Sequence, residues 1–123
     1  MASKRSKITI WHNPRCSKSR AALQLLREGG VEPEVVEYLN TPPDAATLGK
    51  TLRLLGLSPR ELIRRNEAPY RELGLDDESL SDAALIEAMV AHPILIERPV
   101  VVAGRRAVLG RPPERVQDLL DDE

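Results

Sequence analysis

The N-terminal part of the chain changes from a strand-like to a helix-like hydrophobic pattern and back again. "KITIW" is rich in β-branched residues and predicts a short strand. In "SKSRAALQLLREGG", which begins at Ser17, alanine and leucine recur at helical spacing, and the paired glycines end the helix. "EPEVVEYL" predicts a second strand. These segments together predict a βαβ unit, in which the two strands are parallel.

The middle of the chain, residues 44–92, carries helical signals only. Asp44 is a good N-cap for "AATLGKTLRLLG". Ser58 opens "SPRELIRRN" with a glutamate three residues on, which is the capping-box spacing. Ser81 or Asp82 opens "SDAALIEAMVAH". We therefore expect this segment to be all-helical.

The C-terminal part returns to strand chemistry. "RPVVVAG" and "RRAVLG" are short β-branched runs split at Gly104, which predicts a hairpin. "RPPERVQDLL" predicts a last helix with Pro112 or Pro113 in its first turn. The element order is then β-α-β, a helical insert, and β-β-α, which places the chain in the α/β class.

The length of 123 residues is enough for one domain with a single hydrophobic core. We expect one domain over residues 1–123, with its core in residues 1–43 and 93–123 and the helical insert in residues 44–92.

The charge balance limits the partners. Eighteen lysine and arginine residues against nineteen aspartate and glutamate residues leave a formal net charge of −1, which argues against a general binder of nucleic acid or anionic membranes. No apolar run approaches the ~20 residues that span a bilayer, and "ITIW" is too short for the core of a signal peptide. We expect a cytoplasmic protein that binds neither nucleic acid nor membrane.

The only cysteine, Cys16, lies in "HNPRCSKSR", where the first helix begins. Unpaired backbone N–H groups and the positive end of the helix dipole stabilise a thiolate at such a position. Arg15, Lys18 and Arg20 add positive charge nearby. The alternative is a small buried side chain without reactivity, which is common for a lone cysteine. The polar neighbours of Cys16 favour a reactive thiol.

Spacing excludes several kinds of cysteine site. Ser19 stands where a C-x-x-C pair would have its second cysteine, and Ala22 stands where a C-x5-R phosphatase loop would have its arginine. A metal site is not expected, because Cys16 with His12 and His92 makes no recognisable ligand cluster. An oxidised Cys16 therefore needs an external thiol to reduce it.

The motif "HNPRCSKSR" resembles the H-N-P-x-C-x-x-S-R signature of the glutaredoxin-dependent arsenate reductase family. The resemblance extends over nearly the whole chain, through "LIRRNEAPY", "AMVAHPILIERPVVV" and "LGRPPERV", and is closest to a short, poorly characterised bacterial branch. It implies a thioredoxin-like fold, with a mixed sheet of about four strands and an all-helical insert between the second and third strands.

The resemblance also implies a mechanism. The Cys16 thiolate attacks arsenate to form a covalent adduct, glutathione acts as co-substrate and reduces this adduct, and glutaredoxin is the protein partner that clears the mixed disulfide. No bound cofactor is implied, and we expect a monomer.

Three arginines match family positions that handle the oxyanion, namely Arg64, Arg98 and Arg111. An arginine fork suits this task because it binds two oxygens at once, although a lone arginine is usually a solvated surface residue. Arg98 precedes Pro99, at the place where thioredoxin-like folds have a cis-proline beside the active site.

The remaining motif residues have supporting roles. His12 either lowers the thiol pKa, as is thought for this family, or holds the turn by hydrogen bonding. Asn13 and Pro14 are expected to shape the turn. Ser19 either donates a hydrogen bond to the thiolate or caps the helix, and Arg20 adds positive charge.

Two other functions are compatible with the sequence. The well-studied arsenate reductases have a longer C-terminal extension, and they have small residues after the cysteine where this chain has Ser17 and Lys18. A related thiol-transfer or deglutathionylating reductase that acts on another small substrate is therefore the first alternative. The second is a redox regulator that binds RNA polymerase, although such switches typically use the C-x-x-C pair that Ser19 denies to this chain.

Overall fold

The structure is a computed structural model that describes residues 7–120. The chain divides into two compact units. The first comprises the described residues up to Thr41 together with those from Arg98 onward, and the second comprises Pro42–Glu97. None of the helices in residues 7–120 is long and apolar enough to cross a membrane. The assignment of the chain to one domain, with the bounds expected from the sequence, stays a prediction.

The first unit contains a four-stranded mixed sheet with the order β2-β1-β3-β4. Its strands are β1 (Ile8–Trp11), β2 (Glu34–Val36), β3 (Val100–Ala103) and β4 (Arg106–Leu109). β2 is parallel to β1, whereas β3 is antiparallel to both β1 and β4. The predicted βαβ unit and the hairpin at Gly104 are confirmed, and the arrangement is thioredoxin-like.

Helix α1 (Ser17–Glu28) connects β1 to β2 and covers the sheet. Its apolar side buries Ala22, Leu23 and Leu26, which pack into a cluster with the side chains of the sheet. The helix ends before Gly29, as the sequence predicts. This packing fixes the direction of α1, and therefore the position of its first turn after β1.

The second unit is built from helices. They are α2 (Ala45–Leu55), α3 (Pro59–Leu62), α4 (Ala68–Glu72) and α5 (Asp82–Ala91), followed by a 3-10 turn at Pro93–Leu95. The side chains of Asp44, Ser58 and Ser81 each accept a hydrogen bond from a backbone N–H group in the first turn of α2, α3 and α5. The capping box at Ser58 is complete.

The predicted helices of this segment are confirmed, but "LIRRN" is not helical beyond Leu62, where α3 stops. Ile63 is extended and forms an antiparallel bridge with Ile96. The Arg64 N–H donates to the Leu95 carbonyl at 2.7 Å, and the Glu97 N–H donates to the Leu62 carbonyl at 3.1 Å. These bonds replace the next helical turn, so Arg64 lies outside a helix, directly after the extended Ile63.

The chain returns to the first unit for β3, β4 and a short helical end. Pro112 precedes a 3-10 turn at Pro113–Val116, which continues into α6 (Gln117–Leu120). The predicted last helix is therefore present, but its first turn is 3-10. Val116 and Leu119 are buried in the same cluster as the apolar side of α1.

Candidate active site

The cysteine lies at the end of a hydrogen-bonded turn between β1 and α1. The His12 N–H donates to the Val36 carbonyl at 2.8 Å, which continues the pairing of β1 with β2. The Asn13 side-chain oxygen accepts a hydrogen bond from the Arg15 N–H at 3.0 Å. The main-chain carbonyl of Asn13 accepts one from the Cys16 N–H, also at 3.0 Å. Asn13 thereby closes the turn and sets Cys16 as the N-cap residue of α1.

Arg20 holds the same turn from the helix side. Its Nη1 atom donates to the Pro14 carbonyl at 2.8 Å. The bond connects the first turn of α1 with the segment before it, and the side chain of Arg20 is otherwise exposed to solvent. Arg20 therefore helps to fix the conformation of the turn, and an effect of its charge on the thiol stays a prediction.

The Cys16 thiol is half-buried, and its surroundings favour the thiolate. Burial by itself raises the pKa of Cys16, because it removes solvent from the charged form. Two kinds of group lower the pKa of Cys16. They are the backbone N–H groups of Ser19 and Lys18, and the Arg98 guanidinium, which acts through its charge and a hydrogen bond. Their combined effect is larger, so the pKa of Cys16 lies below the ordinary value of a thiol.

His12 is buried, with 6% of its surface exposed, and its Nδ1 atom lies 2.7 Å from Ser19 Oγ. Burial lowers the pKa of His12, the charges of Arg27 and Arg20 lower it further, and Glu37 only partly offsets them. A neutral imidazole follows at physiological pH. Of the two roles open for His12, this geometry favours a hydrogen-bonding role in the turn.

The Ser19 hydroxyl joins His12 to the turn. It accepts a hydrogen bond from the Asn13 N–H at 3.0 Å and contacts His12 on its other side. Ser19 itself is fully buried, and its backbone N–H is the group that faces the thiol. Both contacts of the Ser19 hydroxyl are with residues of the turn, so this hydroxyl stabilises the turn. The backbone N–H of the same residue hydrogen-bonds Cys16.

Arg98 and Arg111 are connected to each other. Arg98 precedes β3, and its peptide bond with Pro99 is cis, as the resemblance implies. The Arg111 Nη1 atom donates to the Arg98 carbonyl at 2.9 Å. The structure thus brings Arg98 to Cys16 directly and ties Arg111 to the backbone of Arg98.

Arg64 lies in the second unit, and two carboxylates hold it there. Its guanidinium forms ion pairs with Glu67 at 2.8 Å and with Glu97 at 3.5 Å, and 22% of the side chain is exposed. Its part in handling an oxyanion stays a prediction.

A cavity of about 410 Å³ adjoins the turn in the first unit. Its lining residues are His12, Pro14, Arg20, Leu23, Gln24 and Arg27. The four helical members follow the spacing of one helix face, and this spacing is visible in the sequence. Among the described residues no group of three or more histidine, cysteine or acidic side chains is placed to hold a metal ion.

The fold and the site together define a thioredoxin-like protein with its cysteine at the start of the first helix. The chain belongs to the ArsC family, whose model matches residues 11–119. It is 60% identical over 114 residues to YfgD, an uncharacterized protein of Escherichia coli K12, covering 92% of this chain and 96% of that protein. It is 51% identical over 114 residues to an arsenate reductase of Neisseria meningitidis serogroup A, covering 92% of this chain and 97% of that protein.

A solved structure has the same fold. The arsenate reductase from Vibrio cholerae superposes with a TM-score of 0.90 at 47% identity, covering 93% of this chain and 98% of that one. The expected thioredoxin-like fold and the expected family are therefore confirmed.

Proposed function

We propose that this protein is an oxidoreductase that reduces arsenate to arsenite, with the Cys16 thiolate as nucleophile, glutathione as co-substrate and glutaredoxin as the partner that regenerates the thiol. The observation that carries this function is the hydrogen bond between the Arg98 guanidinium and the Cys16 thiol at the first turn of α1. The names of the relatives from Neisseria meningitidis and Vibrio cholerae support arsenate as the substrate.

The same donors serve the thiolate and the substrate. Backbone N–H groups at a helix start and an arginine fork are suited to hold an anion and the charge that develops on it. The N–H groups of Lys18 and Ser19 face Cys16 before arsenate arrives, and Arg98 contributes a fixed positive charge. Because the pKa of Cys16 is lowered, a larger fraction of this thiol is ionised at a given pH than of an ordinary cysteine.

The reaction proceeds in three steps. Cys16 Sγ attacks arsenic, and one arsenate oxygen takes up a proton and leaves as water, so that a sulfur–arsenic(V) bond forms. A glutathione thiolate then attacks Sγ; a disulfide bond forms, the sulfur–arsenic bond breaks, and its electron pair remains on arsenic, which leaves as arsenite. A glutaredoxin thiolate finally attacks the glutathione sulfur, and Cys16 leaves as a thiolate.

The absence of a second cysteine in the chain supports an external thiol as the reductant. Cys16 is the only cysteine, and Ser19 occupies the position that would resolve it internally. The two electrons for arsenate reduction must then come from Cys16 and from an external thiol. Glutathione meets this need because it is a small thiol that forms mixed disulfides.

Mass spectrometry of the protein after incubation with arsenate and glutathione tests this function. We expect a glutathione adduct on Cys16 that requires arsenate, and arsenite production once glutaredoxin is added. Cys16→Ser is expected to show neither. An adduct that forms equally well without arsenate, with no arsenite produced, contradicts arsenate reduction and supports a thiol-transfer or deglutathionylating reductase instead.

A further inference from the structure

Gly110 follows β4 and is fastened to the segment that carries Arg98. The Gly110 N–H donates to the Pro99 carbonyl at 2.8 Å. The next residue, Arg111, donates from Nη1 to the Arg98 carbonyl at 2.9 Å. Two consecutive residues after β4 therefore hold the two consecutive residues before β3.

The contact between these segments leaves no room for a side chain at Gly110. A Cβ atom there would lie 2.8 Å from Pro99 Cγ and 3.3 Å from Val116 Cγ1. Carbon atoms pack at about 3.5–4.0 Å, so a methyl group requires a shift. The proline ring cannot rotate away as a flexible side chain does. The shift must therefore move the Pro99 segment away from Gly110, or Gly110 away from that segment.

The backbone of Gly110 does not need glycine for its conformation. Glycines with a positive φ angle occur elsewhere in the described residues, at Gly30, Gly56, Gly74 and Gly104. Gly110 is not one of them, so alanine is compatible with its backbone. The reason for glycine at this position is the close approach to Pro99.

We propose that Gly110 is a positioning residue for the active site, because its lack of a side chain lets the segment after β4 hold Arg98 where the guanidinium hydrogen-bonds Cys16. Gly110 contacts neither the thiol nor the substrate in this role, and it acts through Arg98. The role rests on the proposed function only in that Cys16 is the reacting group. It can be measured without arsenate.

The rate of Cys16 alkylation by iodoacetamide as a function of pH tests this role, because only the thiolate reacts. In Gly110→Ala we expect the profile to move to higher pH and the rate at pH 7 to fall about threefold, as for the weakening of one charge-assisted hydrogen bond. In the Arg98→Ala background the same substitution is expected to change nothing further, because the group through which it acts is gone.

Gly29→Ala is the matched control. Gly29 also has a negative φ angle, and a Cβ atom there would meet the Leu120 side chain, so the substitution disturbs packing at the end of α1 away from Cys16. We expect its alkylation profile to match that of the wild type. If Gly110→Ala does not fold, Gly110→Ala/Val116→Ala removes the second contact and keeps the first, and the same shift is expected.

A wild-type profile in Gly110→Ala overturns the role, and so does a shift of equal size in the Arg98→Ala background. Failure of the proposed function is a separate result. It would appear as a lack of arsenite production by a wild-type protein whose alkylation profile still depends on Gly110 and Arg98.

Discussion

The Nδ1 atom of His12 lies 2.7 Å from the hydroxyl oxygen of Ser19, and both residues are buried beneath the turn that carries Cys16. Burial lowers the pKa of the His12 imidazole, which favours a neutral hydrogen-bonding group in the turn over a cation beside the thiol.

The pH dependence of stability tests the neutral state of His12. Its pKa is lowered in the folded protein, first by burial, so the unfolded chain binds a proton more readily. The stability associated with His12 is therefore present above the ordinary value of about 6.5 and is lost as the pH falls through the lowered pKa. We expect thermal unfolding curves to show this loss below about pH 6.5.

His12→Asn is the comparison for that experiment, because asparagine keeps a polar group for Ser19 and does not titrate. Between pH 7.5 and 5.5, the melting temperature of the wild type is expected to fall further than that of His12→Asn. Equal losses in the two proteins would mean that His12 already takes up its proton in the folded state.

Arg98 is expected to set part of the reactivity of Cys16. In Arg98→Ala the alkylation profile should move to higher pH, because the charge and hydrogen bond that stabilise the thiolate are removed. Arsenate turnover should fall at least ~10-fold, the low end for the loss of a transition-state charge contact. Arg105→Ala, at the exposed turn between β3 and β4, is the matched arginine control and should leave both measurements unchanged.

Arg64 is expected to affect arsenate turnover without affecting the thiol. Arg64→Ala should lower kcat/KM for arsenate by about 10-fold or more if its guanidinium binds the oxyanion. The alkylation profile should stay that of the wild type, because Arg64 is not among the groups that shift the pKa of Cys16.

The neighbouring Arg65 provides the control for this substitution, because its side chain is exposed. Arg65→Ala should retain wild-type turnover. If Arg64→Ala also retains it, the ion pairs of Arg64 with Glu67 and Glu97 are structural, and the oxyanion role predicted from the resemblance is wrong.

The Ser58 capping box is expected to stabilise the start of α3. The Ser58 side chain accepts from the Glu61 N–H, and the Glu61 side chain accepts from the Ser58 N–H at 2.8 Å. Ser58→Ala should lower the free energy of unfolding by about 1 kcal/mol, measured by urea denaturation. Ser58→Asp keeps an acceptor at the N-cap, so its free energy of unfolding should fall much less. Equal decreases in the two variants would show that the cap does not act through this hydrogen bond.

Local patterns were sufficient to predict much of the fold. Asp44, Ser58 and Ser81 cap helices as their sequence context indicates, and α1 ends before Gly29. Each of these features depends on residues within one or two turns of each other, so the necessary information is contiguous in the chain. The same locality explains why a cysteine at the start of α1 could be predicted to face backbone N–H groups.

The end of α3 shows where local patterns are not sufficient. The apolar and charged spacing of "LIRRN" favours a longer helix, but Ile63 pairs with Ile96, which is far away in sequence. Backbone hydrogen bonds to that distant segment outweigh the small preference for another helical turn. Only the tertiary structure could show that Arg64 lies outside a helix and forms ion pairs with two carboxylates.

The sequence by itself determined the order of the elements, the family and the lack of a second cysteine beside Cys16, because these follow from local spacing and from the number of cysteines. The tertiary structure decided which groups surround that thiol. Burial lowered the pKa of His12 within the turn, and folding brought Arg98 to Cys16 and packed Gly110 against Pro99. Burial and contacts between distant segments arise only when the chain packs, so no local pattern encodes them.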